Sequence, residues 1–258
     1  MKIANRTPAV VALFLSAAFG MSANAAPLLF DQNVTPDVIF GSGNANGSFT
    51  IDQSNGVELG LRGKLRHNSS GAPENTFNSN GDGTYSFAAG VAPTQSAPTA
   101  VWSFEWSINS NYDGTSGYNL DDLTYELGVD SDASQGTSFN YFDVINQPFF
   151  DHAIGNNSTG NGGGVSATNS TEYATLIDSN NVAQNSWKAH WFLGPSFDPT
   201  LDGTYNFSLE AFNGSTSLAR TEIQVIVGAG GASVPEPGIL ALLGMGLFGL
   251  GLRRRRIG

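Results

Sequence analysis

The chain has 258 residues, of which 40% are hydrophobic and only 13% charged, with 32 glycines, no cysteine, and 22 acidic against 11 basic side chains. The missing cysteine excludes disulfide staples, thiol nucleophiles and thiolate metal sites, and the formal net charge of −11 opposes nucleic acid and anionic membrane surfaces as partners. No H-E-x-x-H or G-x-S-x-G segment occurs and His67, His152 and His190 are the only histidines, so the common hydrolase signatures are missing too.

At the N-terminus, Lys2 and Arg6 precede an apolar run at residues 9–21, and Ala23-Asn24-Ala25 supplies a small-x-small site. This three-part order predicts a signal peptide over residues 1–25, cut after Ala25 by signal peptidase; the apolar run falls well short of the roughly 20 residues a membrane span needs.

Residues 26–233 form the body, long enough for one large β domain or two small ones without staples. Of the eleven bases, Lys2, Arg6 and Arg253 to Arg256 lie in the two ends, which leaves five in the body against 21 acids, a net charge of −16. Such a surface favours solubility and meets acidic polysaccharide only through divalent cations.

Period-two alternation dominates the body. In "VELGLRGKL", Val57, Leu59, Leu61 and Leu65 fall on one face, with Glu58, Arg62 and Lys64 on the other. "AVWSFEWSI" sets Trp102, Phe104, Trp106 and Ile108 against Ser103, Glu105 and Ser107; "TYNFSLEAF" (Tyr205, Phe207, Leu209, Ala211) and "TEIQVIVG" (Ile223, Val225, Val227) repeat the scheme. These patterns predict antiparallel strands with one core face and one wet face. Shorter candidates are 37–41, 47–53, 84–90, 123–129, 138–145 and 187–193, separated by Gly, Asn, Asp and Ser turns. The expected fold is all-β, an antiparallel β-sandwich or jelly roll over residues 26–227. One helix is expected in "STEYATLID", capped by Ser170 or Thr171, with Tyr173, Leu176 and Ile177 on one face. The glycine-rich stretch 155–169 reads as a mobile surface loop, and "GAGGAS" at 228–233 as a flexible tether.

One pattern recurs. "NSNGDGTYSF", "NSNYDGTSGY" and "DPTLDGTYNF" each place oxygen-bearing residues at positions one, three and five, then Gly and Thr, as at the start of a calcium loop. Position twelve, where a bidentate Glu closes such a loop, holds Ala89, Leu120 and Leu209. Asx turns feeding strands explain the pattern equally, and more simply. The best calcium set is Asn109, Asn111, Asp113, Asp121 and Asp122, because it has the most carboxylates. Trp187 and Trp191 flank Lys188 and His190 and are the candidate sugar-stacking platform, although aromatics at strand spacing are usually core. Asp151-His152 and the Asp121-Asp122 pair are the weak catalytic candidates; no catalytic residue is assigned.

The chain ends in Val234-Pro235-Glu236-Pro237, a fifteen-residue uncharged run from Gly238 to Leu252, and Arg253, Arg254, Arg255 and Arg256. Fifteen helical residues reach about 22 Å, short of the roughly 30 Å hydrocarbon core, so the run is a marginal, transient inner-membrane anchor with its arginines on the cytoplasmic side. In this order the three parts resemble the PEP-CTERM sorting signal of Gram-negative, exopolysaccharide-producing bacteria. The resemblance covers residues 234–258 and implies recognition by a membrane-embedded exosortase at Pro235, Glu236 and Pro237, retention by the arginines, and delivery to the cell surface or a biofilm matrix. The expected function is therefore a secreted, non-enzymatic protein of the envelope or extracellular polysaccharide matrix. A calcium- or carbohydrate-binding surface module and an extracellular polysaccharide hydrolase are the alternatives.

Overall fold

The computed structural model describes residues 27–147 and 150–231; the expected signal peptide with Ala23 and Ala25, and the C-terminal signal with Pro235 to Pro237 and Arg253 to Arg256, lie outside them. The body is built from β1 (Leu29–Gln32), β2 (Phe49–Ser54), β3 (Val57–Leu65), β4 (Thr84–Phe87), β5 (Trp102–Asn109), β6 (Thr124–Asp130), β7 (Phe139–Phe142) and β8 (Ala153–Gly155). Helix α1 (Ser170–Ser179), β9 (Val182–Lys188), β10 (Gly203–Asn213) and β11 (Thr216–Val227) follow. The strands form two sheets, a six-stranded one in the order β1-β2-β3-β5-β9-β8 and a five-stranded one in the order β4-β11-β10-β6-β7. Every pairing is antiparallel except β4 with β11.

The inward faces are the ones the alternation marks. Leu59 and Leu61 of β3 pair with Ile108 and Trp106 of β5, and all four are buried in one core with Tyr205, Phe207, Leu209, Ile223 and Val225 of the other sheet. Phe104 and Phe207 stack across the two sheets with centroids 4.5 Å apart, and Trp102 meets Tyr205 at 5.9 Å. Each large aromatic buried here contributes on the order of 2–3 kcal/mol of apolar burial.

The outward faces differ. In the five-stranded sheet the alternation holds at the start of β6, where Thr124 and Glu126 are exposed while Tyr125 and Leu127 are buried, and along β11, whereas Asp130, Thr204 and Ser208 are buried as well. In the six-stranded sheet it fails, since all of β5 and all of β3 but Leu65 are buried, the expected wet residues Glu58, Arg62, Lys64, Ser103, Glu105 and Ser107 among them. A polar cover of residues 33–47 and 155–165 overlies part of this face. Gln184 of β9 fastens the first segment, accepting from Ile39 N at 2.7 Å and donating to Asp37 O at 2.8 Å. Asn161 of the second segment donates to Val38 O and Asn44 O, and Gly162 N donates to Val38 O.

Several expectations are corrected by this cover. Residues 37–41 are a tethered loop and not a strand, because their backbone is spent on Gln184 and on Gly162 and Gly164. The stretch 155–169 lies largely on the surface as expected but is tethered at Asn161, Gly162 and Gly164: a Cβ on Gly162 would lie 2.6 Å from the Ser42 Cα, so its glycine permits the close approach. The tether 228–233 is likewise held over its first four residues. Gly228 N donates to Phe87 O, Gly231 N to Thr204 Oγ1, and the positive φ of Gly228 brings it so close to the Asp202 carboxylate that no side chain fits. At 187–193 the strand stops at Lys188 and a 3-10 turn follows over Ala189–Trp191. The helix is as expected, except that Asn169 is its cap, its side chain accepting from Glu172 N.

Candidate functional site

Among the five bases of the body, four gather on the outer face of the six-stranded sheet: Arg62 and Lys64 on β3, Arg66 just beyond it, and Lys188 at the end of β9. Positions 62, 64 and 66 are spaced by two, which puts them on one side of an extended chain. Lys64, Ser103 of β5 and Lys188 stand in register across three neighbouring strands.

Arg62 is fully buried, its guanidinium held between the rings of Phe49 and Phe77 at 4.1 and 3.8 Å. It donates through Nε to Glu105 Oε2 at 2.6 Å, and through Nη1 to Ala45 O and Gly47 O of the cover. Lys64 donates to Asn44 Oδ1, and its ammonium lies 3.5 Å from Glu105 Oε1. Burial pulls both cations below their ordinary pKa values, and the Glu105 carboxylate opposes that shift. Arg66 donates to Ser186 Oγ at 2.8 Å, and burial lowers its pKa as well.

Lys64, Arg66, His67, Glu105 and Lys188 line a cleft of about 510 Å³, whose remaining wall mixes polar side chains such as Gln95 and Asn185 with Phe40 and Pro73. Sequence reasoning passed over this cluster. Its signal was available in the three bases at alternate positions of a body otherwise crowded with acids.

The residues picked out from sequence as a calcium set do not converge on an ion. Asn109 is fully buried in a structural network: its amide donates to Thr35 O and Asn157 Oδ1, and its carbonyl accepts from Asn111 N and Asn181 Nδ2. The Asn111 carbonyl is taken by Ser116 and Gly117, and Asp113 Oδ1 by the amide and hydroxyl of Thr115. Asp122 caps a 3-10 turn by accepting from Asn119 N at 2.8 Å. Burial and the nearby Asp178 and Asp122 raise the Asp121 pKa. Among the described residues, no group of three or more His, Cys, Asp and Glu side chains is placed to hold a metal.

The Asx-turn reading of the repeated pattern holds in its geometry, since Asp82 and Asp198 accept from Thr84 and Thr200 as Asp113 does from Thr115. Asn109→Ala is expected to cost about 2 kcal/mol, because it leaves buried amide partners unpaired. Chemical denaturation checks this, and calcium should leave the unfolding midpoint of the parent unchanged; a calcium-dependent rise would restore the ion reading.

The tryptophan platform is also corrected. Trp187 is 1% exposed and stacks on Phe192 with centroids 4.5 Å apart, so its ring is core; Trp191 is 54% exposed in the 3-10 turn beside it. The pair presents no joint face to a sugar. His152 of the Asp-His pair is fully buried against Trp106, with Nε2 donating to Val144 O at 2.7 Å, and is therefore committed to the core.

Two packed sheets, a polar cover and a cation-lined cleft define an antiparallel-dominated two-sheet β protein, with no helix among the described residues long and apolar enough to cross a membrane. Beyond the body, residues 233–256 match the family described as the PEP-CTERM protein-sorting motif, so the chain carries that motif at its C-terminal end, which implies export and handling by an exosortase. No curated protein and no solved structure gives a significant match to the chain.

Proposed function

We propose that this chain is a secreted, non-enzymatic β-sandwich protein whose C-terminal signal is cut by an exosortase near Pro235-Glu236-Pro237, and which serves in the cell envelope or extracellular polysaccharide matrix. The observation that carries the reading is the position of the motif: it begins at residue 233, after a body whose last strand ends at Val227. A signal that follows the last strand in sequence can be removed without deleting any strand of the body. The engagement of His152 in the core and of Asp113 and Asp122 in turns and caps supports a non-catalytic body.

Intact-mass measurement tests the reading. In a Gram-negative host with an exosortase, the exported protein should end near the Pro-Glu-Pro segment, and in the exosortase deletion it should keep its tail; a retained tail in both strains overturns the proposal. The surface-binding alternative draws its support from the cation-lined cleft.

A further inference from the structure

We infer that the cleft lined by Lys64, Arg66, His67, Glu105 and Lys188 is a binding site for an acidic saccharide, which places its carboxylate on the cations and its hydroxyls on the two acceptors. The inference deepens the surface-binding reading of the body and makes no use of the sorting tail.

Charge placement is the first argument. In a body with 21 acids, Lys188 and Arg66 have no carboxylate within ion-pairing distance among the described residues, although counter-ions are abundant elsewhere on the chain. Solubility does not require cations grouped on one face of one sheet, whereas recognition of an anion does. Such a site departs from the sequence-based expectation that acidic polysaccharide is met only through divalent cations, because it gives the ligand's carboxylate the protein's own cations.

Two buried acceptors in the lining lack hydrogen-bond donors among the described residues. His67 is 8% exposed, and its Nδ1 lies 3.1 Å from Gly71 O, which can only accept; Nδ1 therefore carries the proton and Nε2 is left as an acceptor, with no donor among the described residues. Glu105 Oε1 is buried in the same lining and also lacks a hydrogen-bond donor, having only the Lys64 ammonium at 3.5 Å. Buried acceptors without donors are rare and costly. A ligand that supplies hydroxyl donors beside a carboxylate satisfies both kinds of group at once.

A phosphate or sulfate fits less well, because it brings several acceptors and almost no donor to a wall that already contains the Glu105 carboxylate. A long polyanion such as nucleic acid is repelled by the remaining surface. The volume of about 510 Å³ is ample for one or two sugar rings and lies within the usual range for small-ligand sites. At the edge, Lys188 Nζ stands 5.8 Å from the centroid of the exposed Trp191 ring, which supplies a flat apolar face beside the charge.

Calorimetry on the protein purified from its exporting host tests the inference, with a galacturonic acid oligomer, the neutral galactose oligomer of equal length and inorganic phosphate as separate probes. The uronate oligomer should bind and weaken as salt is raised, and the neutral oligomer should bind at least tenfold more weakly. Arg66→Gln and Lys188→Gln should each lower uronate affinity about tenfold with an unchanged unfolding midpoint, and Trp191→Ala should lower it several-fold. Equal binding of the neutral oligomer, binding of phosphate without uronate, no heat from any probe, or undiminished affinity in both folded charge variants would each overturn it. Tail processing is read separately by mass, so either idea can fail alone.

Discussion

Glu105→Leu is expected to destabilise the protein by about 3–5 kcal/mol, more than any other single change on the outer face of the six-stranded sheet. Glu105 is fully buried and answers two cations, Arg62 at 2.6 Å and Lys64 at 3.5 Å. Its removal leaves both charges in a water-poor environment with only neutral acceptors, the carbonyls of Ala45 and Gly47 and the Asn44 side chain. Arg62→Met should cost less, because Glu105 then keeps Lys64 and the methionine still packs between Phe49 and Phe77. The double variant should be more stable than the sum of the two losses predicts, by at least about 2 kcal/mol, since Lys64 is then the one cation left without its carboxylate, where Glu105→Leu alone strands two. Urea denaturation of the four proteins measures the coupling. Losses that add to within about 0.5 kcal/mol would mean that Arg62 and Glu105 act independently.

The second large effect is a loss of stability on mild acidification. Burial among Trp106, Trp187 and Tyr173 lowers the His152 pKa from 6.5 to about 4, although the Val144 carbonyl and Asp151 favour the charged ring. The unfolded chain takes up the proton near pH 6.5 and the folded chain only near pH 4, so protons favour unfolding throughout that interval. The contribution of this histidine is constant above about pH 7, falls as the pH drops from 6.5, and is exhausted near pH 4 after a total loss of about 3 kcal/mol. His152→Gln removes the titration. The stability difference between parent and variant should therefore shrink by about 2 kcal/mol between pH 7 and pH 5. A constant difference over that range would show that His152 is not held neutral by the fold.

Much of the fold could be read from residues, and what escaped has a physical cause. β3, β5, β10 and β11 are legible because their inward positions repeat at period two with Trp, Phe, Leu and Val, which makes one face unambiguous. The opposite face carries Arg62, Lys64 and Glu105, which in any local reading belongs to water. Whether it is wet depends on residues 33–47 and 155–165, tens of positions away and composed of the Gly, Asn and Ser that elsewhere make turns.

The short edge strands β1 and β8 escaped for a related reason: four and three residues give too little periodicity to detect. Of the site residues, the Asp-Gly-Thr turns were legible in their turn chemistry, because Asx turns are local. The cation cleft was legible only in part: Arg62, Lys64 and Arg66 alternate within one segment, but Lys188 of β9 is brought beside Lys64 of β3 only through β5.

The docking of Gly228 to Gly231 sets a length scale. Gly231 N is bonded to Thr204 Oγ1, and the backbone N of Thr204 donates to Ala133 O, so the last described residue is fastened to the body. From Gly231 to Pro235 a fully extended chain spans at most about 14 Å. If an exosortase cuts at Pro235-Glu236-Pro237 as proposed, that reach brings the enzyme close to the body, and the turn around Ala133 and Ser134 next to Gly231 lies within the surface it would meet. Steric bulk inserted on that rim would shield the cut site, and a longer glycine spacer would relieve the crowding.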